Sequence, residues 1–202
     1  MTGTVTLPMF PLSVVLLPGG VLPLQIFEDR YRQLMADLLA GEGVMQFGIP
    51  PILRGTEVGG GEVRADVASV ARVIEPRVMP DGRYTLLAVA ESRVEVVKWL
   101  PDDPYPQAEV RHFGDQPGGG DIDLESIARR ALRLARQAGL DVASTDSLPE
   151  NIGAALFALG VMAPIADLDR LAMLRTTDVS ERASLLTSAL DDLEAVLKFK
   201  DS

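Results

Sequence analysis

"LPMFPLSVVLLPGGVLPLQIFEDRYRQLMADLL", Leu7 to Leu39, contains two regimes that meet near Phe27. Nothing charged precedes Glu28, so the first part has the hydropathy of a membrane segment. Its prolines forbid that reading. Pro8, Pro11, Pro18 and Pro23, with Gly19-Gly20 between them, would break a helix every turn or two. No basic region precedes the apolar run either, because the first basic residue is Arg30. The run is therefore expected to be extended chain crossing a β core, with Phe10, Leu12, Leu24, Ile26 and Phe27 as core residues. After Phe27 the period changes. Tyr31, Leu34, Met35, Leu38 and Leu39 follow helical spacing. Glu28 and Asp29 fall in the first turn, where acids complement the helix dipole, and Gly41 stands at the C-terminal cap.

Outward from this stretch, the chain to about Phe113 reads as strands. Val5–Met9, Val21–Phe27, Val44–Ile49, Val63–Ile74, Val94–Leu100 and Gln107–Phe113 are short β-prone runs bounded by Pro and Gly. Asp81-Gly82 marks a hairpin between two further runs. In Val63–Ile74 both parities carry apolar residues, so both faces of that strand are expected to be covered.

"DQPGGGD", Asp115 to Asp121, is read as the linker, giving a β-rich part over 1–116 and a helical part over 117–202. Leu124, Ile127, Ala128, Ala131, Leu132 and Ala135 form one helical face. Ser147-Leu-Pro-Glu150 reads as a capping box for a helix through Leu159 that ends at Pro164. Leu168, Leu171 and Ala172 mark a third helix. Asp178 opens a fourth, lined on one side by Arg182, Leu186, Ala189, Leu190, Leu193 and Leu197. The expected class is α+β, a β barrel or sandwich with one inserted helix, followed by a helical bundle.

The side-chain inventory excludes much chemistry. There is no Cys, one His (His112) and three Lys (Lys98, Lys198, Lys200). Thiolate nucleophiles, disulfides and multi-histidine metal sites are thus ruled out. No Gly is followed by Lys, so no P-loop exists, and no G-x-S-x-G elbow is present. The triglycines at 59–61 and 118–120 read as turns or linkers. Acidic pairs such as Asp102-Asp103 and Asp191-Asp192 read as solvated. With a net charge of −10, phosphate backbones are repelled. The residues offer no catalytic set, metal site or cofactor site, and the lack of Cys fits a reducing, cytoplasmic setting.

The opening stretch resembles the N-terminal, substrate-binding domain of Lon proteases, a family that also includes stand-alone proteins. The residues that carry the resemblance are Leu7–Leu12, Pro18-Gly19 and Leu22–Tyr31, followed by "VARVIE" (Val70–Glu75), "DGRYTLL" (Asp81–Leu87) and "PYPQAEV" (Pro104–Val110). The chain departs from the family pattern at Ala90-Glu91, where a glycine is common, and at "ADVASVA". The resemblance implies a PUA-like β pseudobarrel with one inserted helix and a helical bundle. It further implies a non-catalytic, ATP-independent module that binds unfolded or extended polypeptide, with a separate protease as a further partner. The alternatives are an RNA-binding PUA-like module and an unrecognised hydrolase. Glu28, Arg30, Tyr31 and Met35 are the candidate motif, in either a peptide-contact or an architectural role.

Overall fold

The computed structural model describes residues 3–58, 60–142 and 148–200. The chain divides into two compact units, Met1–Phe113 and Gly114–Ser202.

The first unit orders its elements β1 (Val5–Pro8), β2 (Val21–Ile26), α1 (Asp29–Ala40), β3 (Gln46–Ile49), β4 (Ile52–Arg54), β5 (Val63–Arg64), β6 (Val67–Val78), β7 (Tyr84–Trp99) and β8 (Gln107–His112). The main sheet runs β1-β8-β7-β6-β3, with β2 added on β7, while β4 and β5 form a separate two-stranded arm. The sheet is not a closed barrel. Just past β1, isolated parallel bridges link Met9 with Gly48 and Leu12 with Pro51 in place of a ladder between the end strands. All ladder pairs are antiparallel, and the hairpin at Asp81-Gly82 joins β6 to β7 as expected.

β7 organises this unit. Its residues 84–89 pair with β2 and 94–99 with β8, while β6 runs along its other side. Val70 faces Ser92, but Ala71 faces Ala90, so Glu91 is an extra residue in β7. A one-residue bulge reverses which face the following side chains take. Leu86, Ala88 and Ala90 therefore pack with Phe10, Ile26, Tyr31 and Phe47 in one cluster. Val94 packs with Met9, Ala68, Val70 and Val110 in a second. The bulge forms here without a glycine.

Several expectations need correction. Phe27 is 55% exposed, because β2 ends at Ile26 and its pairing with β7 does not extend to Phe27. The Val63–Ile74 run is two strands, since Ala65-Asp66 separates β5 from β6. Gly41 caps α1 in an extended conformation, not a left-handed one.

The second unit contains α2 (Leu124–Gln137), α3 (Ile152–Met162), α4 (Asp167–Arg175) and α5 (Val179–Lys200). Asp123 caps α2, accepting from Ser126 N at 3.0 Å, and Asp178 accepts from Glu181 N at 2.8 Å at the start of α5. Asn151 caps α3, taking Ala154 N at 2.9 Å. The expected cap Ser147 lies outside the described residues. Leu168 is 78% exposed, whereas Leu171, Met173 and Leu174 hold α4 against the unit's core.

Arg182 is the centre of this unit. Although it lies on a long helix, its side chain is fully buried. It donates to both Asp115 oxygens, to Gly153 O at 3.2 Å and to Thr176 O at 3.0 Å, and stacks 3.9 Å from the Phe157 ring centroid. One guanidinium thus joins the segment before α2, the start of α3, the end of α4 and α5. A Cβ at Gly153 would collide with Asp115 Oδ2, which explains a glycine inside α3. The 118–120 triglycine is likewise no free linker. A Cβ at Gly118 would overlap Ser180, and Gly120 N donates to Ser180 Oγ at 3.2 Å. The unit break falls between Phe113 and Gly114, three residues before the expected 116/117, because Asp115 is bound to Arg182 and Gln116 bridges to Asp178.

Asp115→Ala leaves the Arg182 guanidinium buried without its carboxylate. Urea titration is expected to show about 3 kcal/mol less unfolding free energy. Asp115→Asn, which keeps one acceptor oxygen, should lose less.

Candidate functional site

The motif Glu28, Arg30, Tyr31 and Met35 surrounds the start of α1. Glu28 occupies the N-cap position but makes no side-chain cap bond. Instead it accepts from Arg30 Nε at 3.2 Å. Arg30 also donates to Glu57 O at 3.2 Å and stacks 4.4 Å from the Tyr31 ring centroid. Tyr31 and Met35 are buried in the first cluster, Met35 completely. The four residues sit together, with the polar pair above the apolar pair.

The β4–β5 arm contributes a second group that sequence reasoning missed. Arg64 donates from Nε to Glu62 at 2.7 Å, grips Asp102 with both terminal nitrogens, and stacks 4.7 Å from the Trp99 ring centroid. The arm is also held at Glu57, whose carboxylate accepts from Ser13 N at 2.6 Å. Residues 28, 57, 62, 64 and 102 are too far apart in sequence for any spacing rule to join them.

Beside α1 lies a hollow of about 530 Å³ lined by Asp29, Arg30, Gln33, Asp37, Asp103 and Pro104. At its edge Tyr105 Oη donates to Asp37 Oδ2 at 2.8 Å. Burial and the Asp37 charge push the Tyr105 hydroxyl up to about 12. Tyr31 is raised further, chiefly by burial.

The solvent side of β2, β7 and β6 has a different character. Register places Val21 beside Val89, Pro23 beside Leu87 and Ile74, and Gln25 beside Thr85 and Arg77. Ile74, Leu87 and Val89 are half-buried and belong to neither apolar cluster of this unit. Val21 is 56% exposed. Phe27, just past the end of β2, is exposed as well. The flanking charges are internally paired, Arg72 with Glu91 and Arg77 with Glu75. The face thus carries an apolar patch at Val21, Pro23, Ile74, Leu87 and Val89, beside Gln25, Thr85 and the paired arginines.

β2 is also an edge strand. Ala90 N donates to Gly20 O at 2.9 Å, so Val21–Val89 is a non-hydrogen-bonded pair. Leu22, Leu24 and Ile26 then turn their main-chain polar groups toward β7, and Val21, Pro23 and Gln25 turn theirs outward. Pro23 has no N–H, so the middle of the free edge lacks a donor.

The helical unit has hollows of about 560 and 590 Å³ around Asp121 and Ile122, one lined by hydroxyls of α5. His112 and Lys98 are exposed. Among the described residues no cluster of His, Cys, Asp and Glu could hold a metal ion, and no helix is long and apolar enough to cross a membrane.

The model of the "ATP-dependent protease La (LON) substrate-binding domain" matches residues 6–192. The chain belongs to the Lon substrate-binding domain family. A Lon protease from Anaeromyxobacter dehalogenans is 28% identical over 96% of the chain, as is Lon protease 2 of Myxococcus xanthus. In each case the chain spans only 24% of the relative's length. Among solved structures, a Lon N-terminal domain protein from Xanthomonas campestris superposes with a TM-score of 0.67 at 26% identity, covering 91% of this chain and 98% of that one. The N-terminal domain of the Mycobacterium avium complex Lon protease gives 0.61 at 16% identity, over 93% and 98%, and so shares the fold.

For this Lon-type domain, the raised Tyr105 hydroxyl has a pH consequence. Its folded value of about 12 lies above the ordinary 10.0. The protonated form is thus the one folding favours, and its contribution is complete below pH 10.0 and lost as pH rises toward about 12. Unfolding titrations across that window should show falling stability, with a smaller fall in Tyr105→Phe.

Proposed function

We propose that the chain is a non-catalytic polypeptide-binding module whose β-rich unit holds extended, apolar segments on the outer face of β2, β7 and β6. The apolar patch of Val21, Pro23, Ile74, Leu87 and Val89, with exposed Phe27 just past the end of β2, carries this reading, because apolar surface bordered by polar side chains suits a protein ligand. The family's description as substrate-binding supports it. The PUA-like description and a cytoplasmic, ATP-independent role belong to the same reading, as does service to a separate protease. The net charge of −10 disfavours nucleic acid and acidic segments as ligands.

The ligand lies across this face instead of extending the sheet. Strand addition at β2 would pair a segment with Val21, Pro23 and Gln25, and Pro23 offers no donor. Proline on an edge is a known guard against edge-to-edge pairing. Within this reading, Glu28, Arg30, Tyr31 and Met35 are architectural: they seat α1 on the core behind the binding face.

Fluorescence anisotropy with a labelled, unfolded, apolar peptide tests the assignment. Phe27→Ser and Val21→Asp together should weaken binding by at least about tenfold, the equivalent of 1.4 kcal/mol, without changing the circular dichroism spectrum. Undiminished affinity in the double variant would place the ligand elsewhere. Failure of any apolar peptide to bind the unaltered chain would sink the function itself. In a separate experiment, Pro23→Thr restores the missing donor and should produce self-association by analytical ultracentrifugation.

A further inference from the structure

β6 and β7 each carry an irregularity beside the apolar patch, and each involves a glutamate. In β7 the extra residue is Glu91, between Ala90 opposite Ala71 and Ser92 opposite Val70. In β6, Ile74 faces Leu87 and Arg77 faces Thr85, so three steps of β6 match two of β7. Glu75 begins that second bulge with φ +50°, a left-handed value that residues with a side chain rarely adopt. Bulges re-aim side chains, and strained backbone concentrates at functional sites.

The second bulge re-aims Arg77. In a regular strand Pro76 would follow Ile74 on the outer face; the extra residue puts Arg77 there instead, opposite Thr85. Arg72 occupies the same face opposite Val89. Each arginine is paired with a bulge glutamate, Arg72 Nε with Glu91, and Arg77 Nη2 with Glu75 at 3.5 Å. The arginines stand four steps of β7 apart, from Val89 to Thr85, or about 13 Å of strand. Ile74 and Leu87 lie between them.

This pairing has a chemical consequence. Each guanidinium is neutralised but still has N–H groups to donate, since an arginine carries several and Glu91 is engaged through Nε. A carbonyl oxygen takes a remaining N–H without disturbing the pair. A ligand carboxylate would have to displace the glutamate, and a ligand cation would contend with the arginine. The apolar side chains between the two arginines offer no donor of their own.

We propose that Arg72 and Arg77 are the specificity-determining residues of this face: they donate to main-chain carbonyls at the two ends of an extended, uncharged apolar segment of about four to five residues lying along β6 and β7. The inference rests on the polypeptide-binding reading above and narrows its ligand to one class.

The test is fluorescence anisotropy with labelled peptides that share a stretch of about five apolar residues, one uncharged, one with Asp and one with Lys at the end of the stretch. Arg72→Met and Arg77→Met keep side-chain length and remove the donors. Each should weaken binding of the uncharged peptide about fivefold, the equivalent of one hydrogen bond, with an unchanged circular dichroism spectrum. Binding of that peptide to the unaltered chain should hardly change with salt, because no ion pair with the ligand forms. Glu75→Gln frees the Arg77 charge and should raise the affinity of the Asp peptide about fivefold relative to the uncharged one. Methionine adds apolar surface, so equal or tighter binding in either Met variant overturns the inference. A preference of the unaltered chain for the Asp or Lys peptide overturns it too, as does a steep loss of binding with salt or an unchanged preference in Glu75→Gln. Where any of these accompanies the expected loss in the Phe27→Ser and Val21→Asp double variant, the polypeptide-binding reading stands and only the role of the arginines falls. No binding of the uncharged peptide to the unaltered chain sinks both.

Discussion

The first unit depends on a single extra residue. β7 is long enough to pair with β2 in its first half and β8 in its second, but a regular strand presents the same parity to the same side throughout. Glu91 interrupts that regularity. Ala88 and Ala90 before it, and Val94 after it, all have alternate spacing with small or branched side chains, yet they fill different clusters. Without the bulge, one of the two clusters would lose its share of β7. The inserted helix α1 depends on this arrangement too, because Tyr31, Leu34 and Met35 pack on the face that Leu86, Ala88 and Ala90 present.

The helical unit is organised by a charge. Burying a guanidinium is unfavourable unless its charge and donors are met. For Arg182 the charge is met by Asp115 and the face of Phe157, and both terminal nitrogens find carboxylate and carbonyl oxygens, while Nε has no hydrogen-bond partner among the described residues. Those partners come from three segments besides α5 itself, so the cost of burying the charge is offset only when all of them are in place. The small residues follow from this. Gly153 makes room for Asp115, and Gly118 makes room for Ser180. The triglycine that looks like a spacer in the sequence is a close-packed contact.

Sequence periodicity located the elements well where one face meets a core and the other meets water. α1 and its buried stripe, the Asp81-Gly82 hairpin and the Asp178 cap follow directly from residue spacing and turn chemistry. Phe27 misled because it continues an apolar run. Hydrophobicity identifies what prefers burial, not which side of a strand it takes. Glu91 gave no signal, since a bulge with an ordinary residue is read only from the partner strand. The candidate surface was equally hidden: Val21, Ile74 and Leu87 come from three strands and become neighbours only through register.

The sequence by itself determined the family, the α+β division and the absence of a thiol or multi-histidine chemistry, because these rest on local pattern and residue inventory. It also revealed that the uncharged opening run is extended chain, since proline constrains its own backbone wherever it sits. Tertiary structure decided which face of the sheet stays open, why Pro23 leaves the β2 edge without its central donor, and where the Arg182 and Glu62 side chains find partners. Those outcomes depend on strand register and on groups distant in the chain, whose energies exist only once the segments are brought together.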